Sequence, residues 1–119
     1  MSDYLEAIGQ RAAACPKWKW LAGMQAVIPA ANDGATGYLY RVTEGTGPIN
    51  NRLAYPNFAD PATLGALAYL VREAAKKPWL FSQFTLQESW SICDLHQHSS
   101  NFVRTEAEAW VEVLEELDG

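Results

Sequence analysis

The sequence predicts one α+β domain, in which two antiparallel β-hairpins form a sheet packed by three helices in the order α-β-β-α-β-β-α. Three observations predict it. The chain has 119 residues, 49% hydrophobic and 19% charged, which suits one core and leaves no room for two ordinary domains. Three segments repeat apolar residues at helical spacing. Between them, two segments alternate with period two around turn signals, and strands that arrive as hairpins pair antiparallel. The composition excludes collagenous, coiled-coil and disordered chains.

Residues 3–15 read as the first helix. Asp3 stands at the cap with Glu6 three residues later, and Leu5, Ile8, Ala12 and Cys15 share one face. Pro16 lacks an N–H and stops it. Lys17-Trp18-Lys19-Trp20 alternates, and Met24, Ala26 and Ile28 alternate again after Gly23, as one bent strand or two short ones. Asn32-Asp33-Gly34 signals a turn and Tyr38 to Val42 a returning strand, so a hairpin is expected over 24–42. Residues 43–59 lack periodicity and hold Gly45, Gly47, Pro48, Asn50, Asn51 and Pro56. A loop this long in a small domain is the first place to look for function.

Residues 61–77 carry the strongest helical pattern. Asp60 is placed to cap it, and Pro61 sits in the first turn, where a missing N–H costs nothing. Arg72, Lys76 and Lys77 suit its C-terminal end, and Pro78 follows as a stop. From Ala62 to Val71 nearly every residue is apolar. Most of this helix is therefore expected to be covered, either as the central helix or partly as a subunit interface in a homodimer. Trp79–Leu86 and Glu88–Leu95 read as a second hairpin that turns near Gln87, with Trp90 and Ile92 on one face. His96 to Asn101 is polar and turn-like. Residues 105–117 read as the last helix, with Thr105 and Glu108 as a capping box and Ala107, Trp110, Leu114 and Leu117 as its buried stripe.

Charge is distributed unevenly. The chain has a net charge of −5, yet residues 105–119 hold six carboxylates and no base, so the rest is nearly neutral. The absence of a basic stripe argues against direct nucleic-acid binding. An acidic helix suits a basic protein surface, or serves only solubility. Cys15 and Cys93 are too few for a disulfide framework and are expected reduced and buried. The opening M-S-D-Y-L-E lacks the pattern of a secretory signal, and the longest apolar run is half a membrane span, so no membrane partner is expected.

One motif suggests chemistry. Residues 93–100 read C-D-L-H-Q-H-S-S, and on an extended strand Asp94, His96 and His98 point to the same side. Two imidazoles and a carboxylate are a zinc-ligand pattern. The D-L-H-Q-H-S stretch resembles the opening motif of the PHP family of metal-dependent phosphoesterases. That family carries the motif at the start of a much larger barrel with further His and Asp motifs. Here 19 residues follow Ser100, and the chain has two histidines. A polar turn ending a strand is the simpler expectation. No metal, cofactor or catalytic residue is therefore assigned. Asp94, His96 and His98 stand as the alternative metal set, and a metal-dependent hydrolase as the alternative activity. No G-x-S-x-G, P-loop or dinucleotide fingerprint is present.

Aromatic residues make up 12% of the chain. Trp90 and Trp110 sit at periodic core positions. Trp18 and Trp20, interleaved with Lys17 and Lys19, have the residue types that stack a base or grip a partner, and equally those that lid a small core. Arg52 and Tyr55 in the long loop, beside Asn50 and Asn51, bring a planar cation and a phenol, both frequent at binding hot spots. Trp18, Trp20, Arg52 and Tyr55, with Glu112, Glu115 and Glu116 of the acidic helix, are the candidate partner- or ligand-binding residues.

Three stretches carry a wider resemblance: A-C-P-K-W-K-W-L-A-G-M at 14–24, D-P-A-T-L-G-A-L-A-Y-L-V-R-E-A at 60–74 and T-E-A-E-A-W-V-E-V-L-E-E-L at 105–117. Together they resemble a set of small, uncharacterised accessory proteins encoded by bacteriophages and prophages. The resemblance implies expression in bacterial cytoplasm and supplies no catalytic residues. The expected function is a non-enzymatic phage accessory protein that binds a host protein, for instance as a counter-defence inhibitor. The alternative is a small-molecule binder such as a nucleotide sponge using Trp18, Trp20, Arg52 and Tyr55.

Overall fold

The first helix, α1 (Asp3–Ala13), turns its apolar stripe inward, with Ile8 and Ala12 buried. The structure, a computed structural model, describes residues 3–28, 38–43, 54–85, 88–94 and 103–117. The Asp3 side chain, the turns at Asn32–Gly34 and Gln87, and most of the 43–59 loop lie outside the described residues. After α1 come strands β1 (Gln25–Ile28), β2 (Tyr38–Arg41) and β3 (Tyr55–Pro56), then helix α2 (Pro61–Ala75). Strands β4 (Phe81–Phe84) and β5 (Trp90–Cys93) and helix α3 (Glu106–Glu116) complete the order. The α+β class and the predicted order hold, with the two-residue β3 added before α2.

The hairpins make two sheets rather than one. In the first, β1 is central, with Val27 opposite Leu39 of β2 and Tyr55 of β3. In the second, β4 and β5 pair antiparallel, Phe81 opposite Cys93 and Phe84 opposite Trp90. The far edge of β1 is taken by β3, and that of β5 by a bridge in which Trp90 and Val103 exchange N–H···O bonds of 2.7 and 2.8 Å. At these positions neither strand joins the sheets, and the outer strands β2 and β4 do not pair with each other.

Caps form where local chemistry places them. Asp60 accepts from the Thr63 N–H at 3.1 Å and its hydroxyl at 2.7 Å, and Pro61 opens α2. At the other end Lys76 adopts the left-handed conformation (φ 58°), and the Lys77 N–H closes onto the Arg72 carbonyl at 3.0 Å. Helix α2 buries Thr63, Leu67, Leu70 and Val71, but Ala62, Gly65, Tyr69 and Glu73 form an exposed strip. It is therefore less covered than its composition suggests: half of that strip is small, and the one large apolar side chain on it is Tyr69. Thr105 caps α3 by accepting from the Glu108 N–H at 3.2 Å. The Glu108 carboxylate, expected to complete a capping box, instead receives Tyr4 and Arg11 of α1.

The main core gathers Ile8, Leu67, Leu70, Val71, Leu80, Ile92, Trp110 and Leu114 between the three helices and the second sheet. Trp110 is fully buried: its Nε1 donates to Glu106, and the Arg72 guanidinium lies 5.1 Å from its ring centroid. Removing so large a buried ring costs about 3–5 kcal/mol. A smaller cluster of Ala26, Ile28 and Ala54 sits under the first sheet. Gly9 lets α1 lie directly on β3: a Cβ there would stand 2.6 Å from the Pro56 carbonyl oxygen and 3.0 Å from the Tyr55 ring.

Candidate functional site

The tryptophans after α1 join the two core clusters. Trp18 meets Trp20 edge to face at a centroid distance of 5.3 Å and Phe58 at 6.4 Å. Trp18 packs on the main core and Trp20 on the small one. A T-shaped pair has no parallel slot between its rings for a base. Tyr55, read from sequence as a surface loop residue, is buried against Gly9. Burial, with Glu6 nearby, pushes its phenol pKa up. It is a core residue because strand β3 turns it beneath α1. Arg52, Asn50 and Asn51 lie outside the described residues.

The acidic helix is largely engaged internally. Arg11 donates from Nε and Nη2 to Glu115 at 3.2 and 2.6 Å, and from Nη1 to Glu108 at 3.0 Å. These charge-assisted bonds tie α1 to α3 and raise the Arg11 pKa further. Glu112 lies half-buried between them, and its Oε2 has no partner among the described residues. Desolvation, then repulsion from Glu108, raises its pKa, although Arg11 opposes this. Of Glu112, Glu115 and Glu116, only Glu116 is exposed. The negative surface offered to a partner is thus smaller than the count of carboxylates implies.

Asp94 has a role that the metal motif did not suggest. Its Oδ2 pairs with Lys77 Nζ at 3.2 Å and its Oδ1 accepts from Trp79 Nε1 at 3.0 Å. Both oxygens already serve an ammonium and an indole. His96 and His98 lie outside the described residues, among which no group of three His, Cys, Asp or Glu side chains could hold a metal ion. Cys15 and Cys93 are buried and unbridged.

What Asp94 positions is the feature that sequence reading missed. Trp79 is 44% exposed, and Phe81 and Phe84 of β4 are also exposed. Lys77, which shares Asp94 with Trp79, lines a groove of about 260 Å³ between the C-terminal ends of α2 and α3. Ala75, Leu80, Val113 and Leu117 form its apolar part, with Lys77 and Glu116 at its rim. The signal that could have found this surface is the stretch from Pro78 to Gln87, ten residues without a charge and with three aromatics. Comparison with protein families, curated proteins and solved structures finds no match. Among the described residues no helix is long and apolar enough to cross a membrane. The arrangement can seat an apolar side chain in the groove and stack another on a fixed indole, which is binding chemistry.

Proposed function

We propose that this chain is a non-enzymatic accessory protein that docks on another protein through Trp79 and the groove beside it. One observation carries the reading: a half-exposed tryptophan is held in place by an ion-paired carboxylate next to an apolar groove. Tryptophan is among the residues most enriched at binding hot spots, and an anchor fixed before binding loses less freedom on docking. The resemblance of residues 14–24, 60–74 and 105–117 to phage-encoded proteins makes a bacterial host protein the partner, and inhibition of a host defence the role.

A tagged capture from host lysate, read by mass spectrometry, tests this. The native chain is expected to retain one stoichiometric protein, and Trp79→Ala to lose it, with affinity down about 30-fold or more for a hot-spot residue. Asp94→Asn, which keeps the indole but weakens its support, is expected to fall between. Equal capture by the native chain and Trp79→Ala would refute the reading.

A further inference from the structure

We propose that the outer edge of β4 pairs antiparallel with β4 of a second copy, making a four-stranded sheet across a two-fold axis at Gln83. The inference concerns a different surface from the Trp79 groove. Among the described residues nothing pairs with that edge: the β4 ladder runs to β5 alone.

The hydrogen-bond alternation fixes what the edge offers. The Thr85 N–H bonds the Ser89 carbonyl at 2.8 Å, and Trp90 directs its own N–H and C=O away from β4 to Val103. In an antiparallel ladder bonded and non-bonded pairs alternate, so Ser82 and Phe84 point their backbone groups outward. Placing Ser82 opposite Phe84 of a second copy uses both positions twice and sets Gln83 against Gln83 on the axis. The two Phe84 rings are then diagonal neighbours, within reach of each other.

Charge selects a second copy as the occupant. Each chain carries −5, so most approaches between copies bring like charge together. Residues 78–87 carry none. Native edge strands are usually protected by charge, proline or a bulge, and β4 itself has no charged residue or proline. Among the described residues the first sheet ends on β2, which carries Arg41, and on the two-residue β3, which contains Pro56. The exposed strip of α2 offers Tyr69 among small residues and no free backbone groups. Phe81 and Phe84, each about half exposed and on opposite faces of β4, bring at most about 400 Å² across two copies. A lasting complex buries about 1,200 Å² or more, so this dimer is weak and reversible.

Sedimentation equilibrium up to near-millimolar protein tests the proposal. The native chain is expected to show a monomer–dimer equilibrium. Gln83→Lys and Gln83→Glu, each placing like charges face to face on the axis, are expected to sediment as monomers. An equimolar mixture of the two is expected to dimerise again, which misfolded variants would not do. Tyr69→Glu is expected to dimerise like the native chain. A native chain monomeric throughout, Gln83 variants that still self-associate, or a mixture that stays monomeric would each overturn the proposal.

Discussion

The two sheets are built from hairpins with strands of the same length, but they are finished differently. The first is fastened by polar side chains. The Gln25 N–H bonds Thr63 Oγ1 at 2.7 Å, Asn57 Nδ2 donates to Gln25 Oε1 at 2.6 Å, and Arg41 pairs with Asp60 at 2.7 Å. These links tie β1 and β2 to the start of α2, so that one carboxylate caps a helix and holds the end of β2. The second sheet is tied to α3 by Ser82, which donates to Glu106 at 2.6 Å, and on its other face the Cys93 thiol donates to Gln83 Oε1 at 3.2 Å. Phe81 and Phe84 are exposed on its opposite faces, since side chains alternate along β4. The difference lies in fastening: the first sheet is tied by its side chains to the helix beside it, while both sheets leave apolar side chains exposed, Leu39 and Tyr40 on β2 and Phe81 and Phe84 on β4.

The comparison is broken most severely at Gly9. Gly9→Val forces a side chain into the Pro56 carbonyl and should cost about 3 kcal/mol or more, read as a lower urea midpoint. A loss under about 1 kcal/mol would show that α1 does not rest closely on the first sheet. Asp60→Ala comes next, at about 1–2 kcal/mol at neutral pH for the lost cap alone. Arg41 and Thr63 hold the Asp60 carboxyl down at about 2, against about 3.9 in an unfolded chain. Its contribution is therefore complete above pH 4 and fades as pH falls through 2. The deficit of Asp60→Ala should shrink over that window, and a deficit unchanged in acid would contradict the ion-paired cap.

Smaller effects sharpen the contrast. The raised pKa of Glu112 means that its charged form is disfavoured in the fold. Any such penalty is absent below the ordinary carboxylate range and sets in as pH rises through the folded value. Glu112→Gln should then raise Tm at neutral pH and have no effect near pH 3. A Tm lowered at pH 7 would mean that the carboxylate has a favourable partner. Smallest of all, Phe84→Lys on the exposed edge should change stability by no more than about 0.5 kcal/mol. A larger loss would place that ring in the core with Trp90, whose centroid is 5.1 Å away.

What could be read from the sequence was local. Asp60-Pro61 and Thr105 define helix starts because a side chain there bonds a backbone group three residues on. Trp90 and Ile92 share a face because strand side chains alternate, and Trp110 lies on a stripe of period 3.6. What could not be read was non-local. A two-residue strand has no periodicity, so β3 and the burial of Tyr55 stayed hidden in a loop. The contact of Gly9 with Pro56 joins positions far apart in the chain. The same limit governs the candidate site. Glu115 looks free until Arg11 arrives from another helix, and Asp94 looks like a metal ligand until Lys77 and Trp79 are beside it.

The contrast between Trp79 and Trp110 gives the molecule a built-in optical reporter. Trp110 is sealed from water beneath Arg72, whereas the Trp79 indole faces solvent. A dissolved quencher such as acrylamide should reach Trp79 first and leave Trp110 emitting, with the remaining fluorescence shifted to the blue. Any macromolecule seated over the groove would shield that accessible fraction, so occupancy could be followed by light alone, without attaching a label.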